Sequence, residues 1–401
     1  MHSIKFYSPS LTGHECDSAA NTIKSKWVAN GPQVRAFEAK IAEMSGCQRA
    51  VAVDSCTAAM ELALRVLGVG EGDEVITTPY TYSATAEVIR NVGATIVFVD
   101  LDGESFEMDY EQVAQAITEK TKAVIPVDIG GKMCNYENLK MILEDAKKNF
   151  VASSDLQKVI GRVAIIADAA HSFGATMDGI PCGAAADFTC FSFHVVKPVT
   201  TGGEGGACVW NDFRRIDNDL IEQTMRLLAD HGQTSRNKGN GWEYDIQLFG
   251  YNSIMTDVDA GVGLSQLMRY DHIVKQREDV TRRYDELFRH IKEATPLIRH
   301  FGENYTSAMH LYPIRLNDKW GTSKSRNQIF DILAKNGVQC NVHYKPLPMM
   351  TAYKNIGFSI SDYPNAYNMF KSLITIPYYA DLTEKEQEYV VENIVKAVRA
   401  V

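Results

Sequence analysis

Between residues 50 and about 210 the sequence alternates two patterns at a regular pitch, and that alternation leaves few folds open. Short apolar runs rich in β-branched residues read as buried strands: VAV at 51–53, EVITT at 74–78, TIVFVD at 95–100, AVIPVDI at 123–129, VAIIAD at 163–168, FTCFSF at 188–193 and GACVW at 206–210. Between them lie helical stretches: TAAMELALRVLG at 57–68, SATAEVIRNVG at 83–93, DYEQVAQAITEK at 109–120 and YENLKMILEDAKK at 136–148. Continuous apolar strands separated by helices predict an α/β fold, a large and mostly parallel sheet covered on both faces. The polar stretch 149–162 reads as an irregular surface excursion.

After residue 211 the pattern changes. A helical stretch leads to 232–245, rich in Gly, Asn and charge, which reads as a mobile loop. A long helical stretch over about 257–295 follows. HLYPIRL, SKSRNQIFDILAKNG, VQCNVHY and TEKEQEYVVENIVKAVRA then alternate strand and helix again. The 401 residues therefore divide into a large α/β domain over 1–260 and a smaller C-terminal α/β domain over 261–401.

A formal net charge of −9 gives no affinity for a phosphate backbone, so nucleic acid is not an expected partner. The N-terminal stretch lacks the apolar core of a signal peptide, and no apolar run reaches the roughly 18 residues of a membrane span. These features predict a cytoplasmic protein. The eight cysteines form no CxxC pair and no zinc-spaced Cys/His cluster, so they read as reduced thiols, and no metal is expected.

In open α/β sheets ligands gather at the carboxyl ends of the strands, and four such ends carry informative residues. VAIIAD ends on Asp168, a carboxylate aimed at the sheet edge or, equally in keeping with its position, a helix cap. FTCFSFHVVKPVTTGGEGGA places Lys197 among small and apolar residues, where desolvation would favour the neutral amine that attacks an aldehyde. A solvated surface lysine is the plainer alternative. Ser192, five residues earlier, can offer a hydroxyl to a phosphate. The glycines at 202, 203, 205 and 206 can pass close to a bound ring or simply make a tight turn, and no P-loop ending follows them. VAVDSCTAAMELAL starts a helix at 55–57, where free amides and the hydroxyl of Thr57 suit an anion, as does ordinary capping by Ser55. TTPYTYSATAEVI places Tyr80 and Tyr82 where an aromatic could stack on a flat cofactor or pack in the core. Together these ends supply a ring-nitrogen carboxylate, an amine, a phosphate cradle and a stacking face, the set that pyridoxal 5′-phosphate (PLP) asks for. No GxGxxG opens the first strand–helix unit, which disfavours a nicotinamide enzyme.

These motifs, with ANGPQVRAFEAKIAEMSGC, GEGDEVITTPYTYSATAEVIRNVGATIVFVDLD, ADAAHSFGA, GYNSIMTDVDAGVGLSQL, VHYKPL and LITIPYYADLT, run almost end to end. The sequence resembles the DegT/DnrJ-type sugar aminotransferases of the PLP-dependent fold type I. That resemblance implies that Lys197 carries PLP as a Schiff base and that Asp168 binds the pyridine nitrogen. It places His171 near the ring hydroxyl, Ser192, Cys56 and Thr57 on the phosphate, Tyr82 on the ring face, and Asn252 on the phosphate of a neighbouring subunit, hence a homodimer with shared sites. Four positions depart from the family's usual pattern: Cys56 stands where glycine is common, TTGGEGG carries an extra glycine, Ile254 replaces a frequent arginine, and Asp128 replaces a histidine.

The resemblance implies transfer of an amino group, with glutamate as donor, to a keto carbon of a nucleotide-linked sugar. Such a reaction serves amino-sugar biosynthesis for a surface polysaccharide or a secondary metabolite. His310, His343 and Tyr344, in the C-terminal part, are candidates to line the acceptor pocket, or else ordinary packing residues. Alternatives are a PLP-dependent sugar dehydratase, in which histidine replaces the lysine, an aminotransferase for a cyclitol, sugar acid or aminobenzoate precursor, and a non-catalytic PLP-fold sensor.

Overall fold

The structure, a computed structural model, describes residues 3–234, 242–317 and 320–401. Its centre is a seven-stranded sheet in the order β1-β9-β8-β5-β4-β2-β3. The strands are β1 (Arg49–Val53), β2 (Glu74–Thr77), β3 (Thr95–Phe98), β4 (Thr121–Ile125), β5 (Ala164–Asp168), β8 (Phe188–Ser192) and β9 (Gly206–Trp210). Every residue of β4, β5 and β9 is buried, as expected of strands covered on both faces. β2, β3, β4, β5 and β8 pair in parallel, while β9 runs antiparallel to both β1 and β8. The reversal follows from chain length: only the 193–205 loop joins β8 to β9, with no helix to carry a parallel crossover.

The four expected helices form, as Cys56–Leu67, Ser83–Asn91, Tyr110–Ala116 and Tyr136–Asp145. Cys56–Leu67 buries Met60, Leu62, Leu64 and Leu67 against the sheet, each contributing roughly 1.5–3 kcal/mol by leaving water. It stops at Gly68, whose φ of 80° an L side chain rarely adopts. Two N-terminal helices, Gly13–Ser25 and Pro32–Met44, pack on helix Asp257–Met268 and complete the layer on that side.

Other segments depart from the sequence expectations. The excursion at 149–162 contains a short helix, Asp155–Ile160, capped by Ser154 and anchored by buried Leu156. The long helical stretch breaks at Arg269, whose φ/ψ of −106°/10° is not helical and whose guanidinium reaches Glu15 Oε1 at 2.7 Å. It resumes as Tyr270–Phe288 and gives way to β10 (Ala294–Pro296). The stretch at 338–344 forms isolated bridges, Val338 with Ile4 and Asn341 with Thr375, not a strand. The base of the 232–245 loop is tied by Thr234 N–H to Asp245 O at 2.9 Å, and residues 235–241 of that loop lie outside the described residues.

β10, β12 (Tyr312–Leu316) and β13 (Leu373–Ile376) form a second, antiparallel sheet. Its core joins Tyr284, Ile314, Leu333, Ile374 and Ile394, and Ile4 from the N-terminus inserts into it. The division expected at 260/261 falls inside helix Asp257–Met268, whose Ala260 and Leu267 belong to the core of the large sheet. A ribbon of β6 (Thr176–Met177), β7 (Ile180–Pro181) and β11 (Tyr305–Thr306) links the two regions. Among the described residues no helix is long and apolar enough to cross a membrane.

Candidate active site

The ends of β5 and β8 and the start of helix Cys56–Leu67 meet at one point. Asp168, last residue of β5, pairs in register with Cys190 of β8 and is buried. Both its carboxylate oxygens are held: Thr85 donates its hydroxyl to Oδ2 at 2.6 Å, and Ala170 N–H donates to Oδ1 at 3.2 Å. The Cys56 thiol lies 4.0 Å from Oδ1. Burial raises the Asp168 pKa above the usual carboxylate range, while Thr85, the Ala170 amide and the positive charge of Lys197 pull it back.

Lys197 sits in the loop between β8 and β9. Phe193 N–H to Gly205 O at 2.8 Å and Val195 N–H to Gly203 O at 2.9 Å clasp that loop. Lys197 N–H to His194 O at 2.9 Å fixes its backbone. Desolvation lowers the Lys197 pKa to about 8, against the opposing pull of Asp168, Cys56 and Glu204. The amine is therefore neutral in appreciable part near physiological pH, which a solvated surface lysine is not.

The helix start forms beside this pair. Ser55 caps it, accepting from Ala58 N–H at 3.1 Å, and an α-helix leaves its first amides without intrahelical partners. Gly206 is required by close approach: a Cβ there would stand 2.3 Å from the Ser55 carbonyl carbon and 2.4 Å from Cys56 N. With a larger residue there, the start of β9 could not lie against the start of helix Cys56–Leu67. The Cys56 side chain turns inward, donating to Cys190 O at 3.3 Å, so only its backbone can face an anion. Ser192 ends β8, its Oγ accepting from His194 N–H at 3.3 Å.

The two tyrosines of the β2 loop part company. Tyr80 is fully buried and donates to His343 O at 3.0 Å, whereas Tyr82 is 66 % exposed, its ring 6.3 Å from that of Tyr344. His171 is buried, and its Nδ1 accepts from Gly130 N–H at 3.1 Å. The ring proton consequently sits on Nε2, which faces Tyr344 Oη at 3.2 Å. Burial, then the charge of Lys197, holds His171 neutral. His310 lies beside it, edge-to-face at 4.4 Å and only 4 % exposed. His343 bonds Thr375 Oγ1 through Nδ1 at 3.1 Å, and burial brings its pKa down to about 3. Asn252 is exposed, bridged to Asp230, and makes no hydrogen bond to this cluster among the described residues. Ile254 bridges to Val53, giving the position an apolar packing role.

Two supports escaped the sequence reading. Thr85 follows Tyr82 by three residues, but nothing in SAT marks which hydroxyl turns inward. Asp128 drew attention only as a departure from a pattern. It accepts from Ser172 Oγ at 2.6 Å, Cys134 N–H at 2.8 Å and Tyr136 Oη at 2.9 Å, and burial pushes its pKa up to about 7. It thereby shapes the turn that delivers Gly130 N–H to His171.

A carboxylate at one end, a desolvated amine beside it, a glycine-lined helix start and an exposed aromatic fit a flat cofactor bearing a basic ring nitrogen, an aldehyde and a phosphate. The comparisons agree. Residues 9–395 match the DegT/DnrJ/EryC1/StrS aminotransferase family. The spore coat polysaccharide biosynthesis protein SpsC of Bacillus subtilis is 32% identical, over 99% of this chain and 97% of its own. The UDP-4-amino-4,6-dideoxy-N-acetyl-beta-L-altrosamine transaminase of Campylobacter jejuni (strain 81-176) is 30% identical, over 98% of this chain and 96% of its own. Spr1654 of Streptococcus pneumoniae, described as a candidate sugar aminotransferase, superposes with a TM-score of 0.95 at 42% identity. That alignment covers 100% of this chain and 99% of the PLP form of Spr1654. PLP is the cofactor. A chain matched almost from end to end, with a desolvated lysine in the loop after β8 and a buried carboxylate at the end of β5, belongs to the DegT/DnrJ/EryC1/StrS aminotransferase family.

Proposed function

We propose that this aminotransferase moves an amino group from glutamate to a keto carbon of a nucleotide-linked sugar, in making amino sugars for a surface polysaccharide or a secondary metabolite. The observation that carries the reading is the Lys197–Asp168 pair in a chain whose relatives are named for this chemistry. A dehydratase of this fold would want histidine at 197, and a sensor would not need the pair. The experiment is a panel of nucleotide-keto-sugars offered with glutamate and read by mass spectrometry. An amino-sugar nucleotide should appear, and turnover of free sugar acids or cyclitols alone would overturn the substrate class.

In this reading Lys197 Nζ would hold PLP covalently, and Asp168 would bind its ring nitrogen. Ser192, Thr57 and the Cys56 amide would take the phosphate, His171 Nε2–H the ring hydroxyl, and Tyr82 the ring face. PLP supplies an electron sink that stabilises negative charge at the donor's α-carbon. Lys197 Nζ would also be the base placed to take the donor's α-proton. Tyr344 and His343 border the acceptor space. Tyr344→Phe should raise the acceptor KM severalfold and leave the single turnover with glutamate unchanged, and equal damage to both would assign the pair to folding.

The active sites are proposed to be shared in a homodimer. Phe249 is 98 % exposed in the single chain, three residues before Asn252, and Trp242, Tyr244 and Ile246 shortly before it are exposed as well, an apolar set that suits a covering surface. Asn252→Ala should weaken PLP binding about 10- to 100-fold, the worth of a hydrogen bond to a charged group. Mixing inactive Lys197→Ala and PLP-poor Asn252→Ala dimers at limiting PLP should restore activity, because one site of each mixed dimer is then intact. No recovery would place Asn252 in its own chain's site. Two domains are proposed as well, the smaller built on β10, β12 and β13, with the 1–260 and 261–401 division moved to the break at Arg269.

A further inference from the structure

We propose that Thr85 is the positioning residue of Asp168, the second member of a hydroxyl chain that runs Thr81, Thr85, Asp168. The chain has one direction. Thr85 donates to Asp168 Oδ2 at 2.6 Å, and an ionised carboxylate can only accept. The Thr85 oxygen is then left as acceptor for the hydroxyl of Thr81, 2.8 Å away. Both threonines are buried, Thr85 completely, so water does not compete for either bond. Donors in series polarise one another, and the charge they favour sits at the far end of the series, on Oδ2.

The covalent arrangement gives the chain a second consequence. Tyr82 is the residue before helix Ser83–Asn91, and Thr85 is the third residue of that helix. Thr85 N–H closes back on Tyr82 O at 3.3 Å. One turn thus sends Tyr82 into the open cleft and Thr85 into the carboxylate, and the spacing between ring face and ring-nitrogen partner is set by a single helical turn. The groups facing Asp168 come from every element around it. These are Thr85 from this helix, the Cys56 thiol from helix Cys56–Leu67, Cys190 from β8, Lys197 from the β8–β9 loop, Tyr344 from the C-terminal part, and the Ala170 amide. Of these, Thr85 makes the shortest bond to the carboxylate and is a neutral donor that does not titrate in the working range. Its loss therefore removes orientation and a donor together without changing formal charge.

This inference rests on the reading of Asp168 as partner of the ring nitrogen, and the test separates the two. Holoenzyme of Thr85→Val, Thr85→Ser and Asp168→Asn is mixed with glutamate, and the single-turnover loss of the bound PLP absorbance is followed across pH. Thr85→Val, which keeps the shape and removes the hydroxyl, should run roughly 10- to 100-fold slower at neutral pH, with its acid limb moved to higher pH. Thr85→Ser should recover most of both. Thr81→Val should shift the same limb in the same direction by less, and it serves where Thr85→Val does not fold. A Thr85→Val enzyme with the parent's rate and pH profile overturns the inference, as does a Thr85→Ser enzyme no better than Thr85→Val. If Asp168→Asn itself is unimpaired, the reading of Asp168 fails first.

Discussion

Lys197→Ala should retain PLP through its phosphate contacts and lose amino transfer by on the order of 10⁴-fold or more, since the proposed attachment point and the proposed base both disappear. Borohydride treatment of the parent enzyme should fix PLP on the one peptide containing Lys197, and the variant should yield no adduct. The pH dependence follows from the same residue. Lys197 is lowered to about 8 by desolvation, and only its neutral form attacks the PLP aldehyde. Attachment of added PLP to the apoprotein therefore accelerates as pH rises toward about 8 and levels off above it. A lysine with the usual value would keep accelerating for about two further pH units. An adduct on another lysine, or a rate still climbing well beyond pH 8, would remove Lys197 from this role.

Much of this arrangement is legible in the sequence because it depends on local pattern. Strands buried on both faces must be apolar throughout, so AIIAD and GACVW declare themselves, and the residue at such a strand's end is at the sheet edge by construction. That logic reaches Asp168 and Ser192, and the short-loop logic reaches Lys197. It does not give strand direction. β9 reverses because of the length of the chain before it, and composition is blind to that. Nor does it give the partners of a buried polar group. Thr85, Asp128 and Gly130 become supports only when their elements are folded together, with Thr85 83 residues from Asp168 and Gly130 41 from His171. His310 shows the converse. In HLYP, two residues before β12, it reads as a pocket-lining candidate, yet its imidazole packs edge-to-face on His171.

Asp168→Asn is the sharper of the two substitutions, because it changes charge with almost no change in volume. The amide keeps an acceptor for Thr85 and fills the same buried space, so fold and PLP content should persist. With its oxygen on Thr85 the amide turns its NH2 to the Ala170 N–H and gives up that longer bond, whereas alanine would strand the Thr85 hydroxyl as well. A neutral amide cannot hold a proton on the pyridine nitrogen, and the ring then ceases to draw electrons from the donor's α-carbon. The expected loss in the glutamate half-reaction is about 10³-fold or more, several kcal/mol of barrier. The acid limb of the parent marks protonation of this carboxylate, which burial raises and which a protonated ring nitrogen beside it would lower. The asparagine variant has no such group and should lose that limb, leaving a slow rate that is flat through the region where the parent falls. Stopped-flow absorbance across the acid range measures both quantities at once. A variant within a few fold of the parent, or one that keeps the acid limb, would show that another group protonates the ring.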